Sequence, residues 1–99
     1  MNEISMQDFC TLLENDPTLH ILDVRPKINY HLGHVPGAVS LPLSSLEKRV
    51  RELDKNKHYY VICRSGNTSR QATDFLTQQG YQATNVQEGT LGYPGKLER

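Results

Sequence analysis

The run Tyr59-Tyr60-Val61-Ile62, followed without a break by Cys63 and the polar stretch Arg64-Ser65-Gly66-Asn67-Thr68-Ser69-Arg70, constrains this chain more than any other feature. Its aromatic and β-branched residues read as a central strand. Beyond the polar stretch, Ala72, Phe75 and Leu76 recur at helical spacing, with Gly80 placed as a left-handed helix terminator and Tyr81 placed to pack back on Leu76. A strand that enters a helix through a short loop puts whatever sits in that loop at the carboxyl end of a sheet, where ligands bind in parallel α/β folds. Cys63 sits there.

The rest of the chain repeats the alternation. Ser5 is placed to cap a helix with Asp8 in its first turn and Met6, Phe9, Cys10, Leu12 and Leu13 on one side, ended by Asn15-Asp16-Pro17. Leu19-His20-Ile21-Leu22-Asp23-Val24 is nearly all apolar, as in a strand buried on both faces. Asp23 is its anomaly: a carboxylate there needs a cation or donors, and Arg25 supplies the expected structural ion pair. Pro26 to Pro36 suits one helical turn inside a loop, and Ala38-Val39-Ser40-Leu41 is a short strand. Ser44 and Glu47 form the pattern of a capping box ahead of a helix with Leu46, Val50 and Leu53 on one face, and Asp54 to Lys57 is a polar turn. A last strand lies around Thr84-Asn85-Val86-Gln87, before a tail too rich in Gly and Pro for a helix. The expectation is one α/β domain over residues 1–99, with a mainly parallel central sheet flanked by helices on both faces.

Eleven Lys and Arg balance eleven Asp and Glu, which gives no global field for nucleic acid or an anionic membrane. The apolar runs are far shorter than a membrane span, and no signal-peptide pattern opens the chain, so a cytoplasmic protein is expected. In a reducing compartment Cys10 and Cys63 read as free thiols, Cys10 as a small buried hydrophobe on its helix. His31 and His34 have helical spacing but no third ligand near them in sequence, so they read as local hydrogen-bonding partners and no metal is expected.

An ordinary cysteine is mostly thiol at neutral pH, and only the thiolate attacks well. The loop from Arg64 to Thr68 contains residues whose amides can curl into a nest around sulfur, reinforced by the positive end of the following helix and by the charge of Arg64 or Arg70. Each such contribution is worth about 1 kcal/mol, so several together move the thiol by a pKa unit or more. No Gly-Lys-Ser/Thr ending is present, which excludes a nucleotide-binding P-loop.

Leu22-Asp23-Val24-Arg25, Tyr30 with Leu32-Gly33-His34-Val35-Pro36-Gly37-Ala38-Val39, Leu41-Pro42-Leu43, and Val61-Ile62-Cys63-Arg64-Ser65-Gly66-Asn67-Thr68-Ser69 resemble, in order and spacing, the single-domain rhodanese family across nearly the whole chain. The resemblance implies an α/β sheet sandwich and a sulfurtransferase without cofactor. Cys63 would take a sulfane sulfur from a small donor such as thiosulfate or a persulfide, then pass it to cyanide or a thiol acceptor. It further implies that Arg64, Ser65, Gly66, Asn67 and Thr68 wall the anion pocket, with Asp23, Arg25, Ser69 and Arg70 in support. Three departures from the family pattern bear on the donor. Asn29 stands where a charged residue is common, Ser65 stands where some thiosulfate users have Lys, and Gly89-Thr90 with Tyr93 replaces a Gly-Gly and Trp near a shortened C-terminal helix. Two rival readings are a persulfide sensor or docking module without turnover, and a cysteine phosphatase. The phosphatases carry Arg six positions after the nucleophile, where this chain has Ser69, with Arg70 one position later.

Overall fold

The computed structural model describes residues 2–99. In chain order the elements are β1 (Glu3–Ile4), α1 (Met6–Asn15), β2 (His20–Asp23), α2 (Lys27–Leu32), β3 (Ala38–Ser40), α3 (Leu43–Arg49), β4 (His58–Ile62), α4 (Asn67–Gln78) and β5 (Gln82–Val86). Short 3₁₀ turns cover Val50–Glu52 and Thr90–Gly92. The five strands form one sheet in the order β1-β5-β4-β2-β3, with every pairing parallel. β4 is central, as the sequence predicts. From it the chain order steps one way to β2 and β3 and the other way to β5 and β1, so the carboxyl ends of β2 and β4 flank a switch point of the sheet.

Successive residues of the central strands face opposite layers, so one apolar run builds two cores. Leu22, Val61 and Cys63 join Leu46, Ala72, Leu76 and Tyr81 on the face covered by α3 and α4. Ile21 and Ile62 join Met6, Phe9 and Val86 on the face covered by α1. Each fully buried side chain of this size contributes about 1.5–3 kcal/mol, so these alternating pairs carry much of the fold.

The helix ends show which sequence signals decide structure. Ser5 Oγ accepts from the Asp8 amide at 3.1 Å, as predicted. Gly80 has φ of 90°, and Tyr81 N–H donates to the Leu76 carbonyl at 3.0 Å while Gly80 N–H donates to Thr77, closing α4 as the sequence indicates. The capping box at Ser44 and Glu47 does not form. α3 starts two residues earlier, behind Pro42 with no side-chain cap, because the Leu43 amide is tied to the Val24 carbonyl at 3.0 Å and Pro42 already fixes the entry dihedral. Leu12, predicted on the apolar side of α1, is 38% exposed, while Cys10 packs at the edge of the second core. β1 has no counterpart in the sequence reading, and β5 begins two residues before the predicted Thr84. His34 stacks on Tyr30 at 3.8 Å and its Nδ1–H donates to the Tyr30 carbonyl, a local role of the kind expected. Among the described residues no helix is long and apolar enough to cross a membrane.

Candidate active site

Cys63 follows the last residue of β4 and is buried. Its carbonyl accepts from the Thr90 amide at 2.8 Å and from Thr90 Oγ1 at 3.1 Å, and the Arg64 carbonyl accepts from the Leu91 amide at 3.1 Å. In a trans peptide the C=O and the next N–H point opposite ways, so the Arg64 carbonyl, held away from the sulfur, leaves the Ser65 amide directed toward it. Gly66 N–H donates to Cys63 Sγ at 3.1 Å. Gly66 itself has φ of 102°, and a Cβ there would lie 1.9 Å from the Gln87 carbonyl oxygen. At Gly89 (φ of 64°) a Cβ would lie 2.5–2.6 Å from the Arg64 and Cys63 carbonyl groups. The segment after β5 therefore buttresses the loop from behind, at backbone contact. Gly89 and Thr90 are supports that the sequence reading noted only as a departure.

Burial is the largest single influence on the Cys63 thiol and pushes its pKa up, but hydrogen bonding outweighs it and the pKa lies below the ordinary value. The groups responsible are Ser69, through side chain and backbone, and the backbones of Gly66 and Ser65. The expected contribution of Arg70 is not realised: its guanidinium turns to Glu3 on β1, at 3.3 Å, because that edge strand brings a carboxylate within reach. Ser69 is buried and makes contact with the sulfur, Sγ to Oγ 3.2 Å, and with Asn85 of β5. Asn85 is a further site residue that the sequence reading placed only in a strand. By contrast, burial and the nearby Glu14 and Glu88 raise the Cys10 thiol, which is poorly suited to nucleophilic attack.

In front of the sulfur lies a cleft of about 210 Å³ lined by Cys63, Arg64 and Thr68 from one side and Arg25, Pro26 and Asn29 from the other. The loop is shorter than the predicted stretch from Arg64 to Thr68. Gly66 is already the N-cap of α4, because its left-handed backbone turns the chain directly into the helix, and Asn67 and Thr68 belong to the first turn. Ser65 and Asn67 are exposed, and Ser65 acts on the sulfur through its backbone.

Asp23 is fully buried, and both its oxygens receive the Arg25 guanidinium, with contacts from 2.7 to 3.1 Å, while Oδ1 also accepts the Arg25 amide. Arg25 Nη2 continues to the Gly33 carbonyl at 2.7 Å. The pair is the predicted structural ion pair, and it also fixes one wall of the cleft. Asp23→Asn is expected to cost about 2 kcal/mol of stability, the scale of a hydrogen bond to a charged group, because it leaves an Arg25 side chain only 11% exposed without its counter-ion. The denaturation midpoint measures this, and an unchanged midpoint contradicts it.

The chain matches the family described as Rhodanese-like domain over residues 5–95. It is 40% identical over 97 residues to the "Putative sulfur carrier protein YrkF" of Bacillus subtilis, covering 97% of this chain and 52% of that protein, so it spans about half the length of this relative. It is 32% identical over 98 residues to the "Putative sulfurtransferase YtwF" of the same organism, covering 99% of this chain and 95% of the relative. Among solved structures, SSP1007 from Staphylococcus saprophyticus superposes with a TM-score of 0.93 at 30% identity, covering all of both chains.

Proposed function

The chain belongs to the rhodanese-like domain family, and from that premise we propose that it is a sulfurtransferase that carries sulfane sulfur as a persulfide on Cys63. The observation that carries the reading is a buried sulfur held by inward amides at the floor of a small cleft, with a thiol pKa below the ordinary value. In the first half-reaction the Cys63 thiolate attacks the outer sulfur of thiosulfate or the terminal sulfur of a persulfide. The new S–S bond forms as the old one breaks, and sulfite or a thiolate leaves with the electron pair. The cysteine persulfide keeps the negative charge, now one atom further into the cleft. In the second half-reaction cyanide or an acceptor thiolate attacks that terminal sulfur, and Cys63 departs as the thiolate it was.

Arg64 supplies exposed positive charge at the rim, while the charge of Arg25 is spent on Asp23. Asn29 adds none to the lining. A cleft with so little free charge favours a singly charged persulfide over dianionic thiosulfate as donor. A phosphatase reading finds no support at the rear of the loop, where Ser69 replaces an arginine and Arg70 is committed to Glu3. Free thiols at Cys10 and Cys63 suit the reducing cytoplasm as the place of action.

Intact-mass spectrometry tests the reading: a donor is expected to add one sulfur atom, peptide mapping to place it on Cys63, and cyanide to remove it as thiocyanate. Sulfur found on Cys10 instead, or none at all, overturns it. A stable adduct that neither cyanide nor thiols remove identifies a sensor module without turnover.

The rate of sulfur uptake is expected to rise with pH and level off below the pKa of an ordinary cysteine, since the folded state lowers that of Cys63. Stability has the matching sign. A lowered pKa means that the fold favours the thiolate, so this contribution is complete above the unfolded thiol pKa and is lost as the pH falls through the folded one. Alkylation rate against pH reads the midpoint, and one at or above the free-cysteine value contradicts the prediction.

A further inference from the structure

Behind the sulfur, a chain of polar groups runs from Cys63 through Ser69 and Asn85 to Glu3, crossing α4, β5 and β1. Ser69 Oγ lies 3.2 Å from Cys63 Sγ and within short hydrogen-bonding distance of Asn85 Oδ1. Asn85 Nδ2 donates to Glu3 Oε2 at 3.0 Å and to the Gly66 carbonyl at 3.3 Å. Cys63, Ser69 and Asn85 are all buried.

The orientation of the Asn85 amide is fixed by its partners. The Gly66 carbonyl can only accept, and the Asn85 amide, reinforced by Gln87 and Arg70, holds the Glu3 carboxyl below the usual carboxylate range against the opposing effect of burial. Glu3 is thus an anion that also only accepts. A flipped amide would set its oxygen against both, so Oδ1 must face Ser69. That oxygen cannot donate, and the contact is made by the single hydroxyl hydrogen of Ser69. A Ser69 hydroxyl that donates to Asn85 presents only a lone pair to sulfur, where it suits a thiol that donates S–H. A thiolate or persulfide anion needs the hydrogen itself.

We propose that Asn85 is a positioning residue that competes with the Cys63 sulfur for the one hydroxyl hydrogen of Ser69, holding it while Cys63 is a thiol and yielding it when the sulfur becomes an anion. The competition weakens the anion's support and sets how readily the sulfur ionises. The proposal rests on the reading of Cys63 as the sulfur carrier. Its test uses no sulfur donor, so the two can fail separately.

The apparent pKa of Cys63 is read from thiolate absorbance, with Cys10→Ala in every variant. Asn85→Leu, of similar volume, and Asn85→Val, which suits a strand, are expected to release the Ser69 hydrogen and lower that pKa by about one unit, roughly a tenfold gain in thiolate below both values. Ser69→Ala is expected to raise it. In the Ser69→Ala background the Asn85 substitutions are expected to shift nothing, because there is no hydrogen left to compete for. The charged groups around the cleft, Arg25 with Asp23 from the end of β2 and Arg64 from the loop, are the same throughout. An equal shift with or without Ser69, or no fall in the single variants, overturns the proposal. If the Asn85 variants do not fold, the infrared S–H stretch of Cys63 decides: it is expected at lower frequency than in Ser69→Ala, and an unshifted band sinks the idea.

Discussion

Serine in place of Cys63 is expected to abolish sulfur uptake and cut thiocyanate formation by about 10³-fold or more, the scale of losing a nucleophile. The change leaves the cage intact. A serine oxygen still accepts from the Gly66 amide and meets Ser69, so the stability cost is about 1 kcal/mol. What disappears is the anion, because these amides lower a thiol from a starting point not far above neutrality, whereas an aliphatic hydroxyl starts many units higher. The two measurements to pair are a thermal melt and a cyanide assay. Thiocyanate production that survives in a folded Cys63→Ser chain removes Cys63 from the reaction.

Gly66→Ala is expected to damage both fold and chemistry. Its Cβ would lie 1.9 Å from the Gln87 carbonyl oxygen, on a backbone with φ of 102°. Backbone strain and the displacement of packed backbone each cost about 1–3 kcal/mol, so a loss of about 4 kcal/mol follows. The same movement withdraws the amide that donates to Cys63, so the alkylation rate at neutral pH is expected to fall by about tenfold in whatever fraction folds. Gly37→Ala is the control. Its φ of 87° carries the strain, but nothing lies within 4 Å of the added methyl, so it is expected to lose only about 1–2 kcal/mol and no reactivity. Equal losses at the two glycines would show that the collision with Gln87 is relieved by local movement.

The sequence displayed the parts of the molecule whose signals are local. β2 and β4 were legible because an unbroken apolar run is dictated by cover on both faces, and α1 and α4 because Ser5 and Gly80 act on residues within one turn of themselves. Cys63 was legible for the same reason: strand, thiol and polar loop are contiguous. Signals that needed register were not. β1 has two residues and no periodicity, and without it Glu3 could not be placed as the partner that takes Arg70 away from the sulfur. Asn85 reads as one polar residue in a strand until β5 is laid beside β4 with Val61 opposite it. At Ser44 a valid local pattern lost to a non-local tether, the bond from Leu43 to the Val24 carbonyl, which starts α3 early.

The bonds from Thr90 to Cys63 span a sequence separation of 27, and those that turn the loop outward all come from beyond β5. A chain still being made therefore exposes its cysteine well before it acquires the bonds that hold the surrounding loop in place. Until residues past Gly89 have left the ribosome and docked, the loop lacks the outer tethers on the Cys63 and Arg64 carbonyls that help to aim its amides at the sulfur. Full stabilisation of the thiolate is thus tied to completion of the fold, when the segment beyond β5 docks behind the loop.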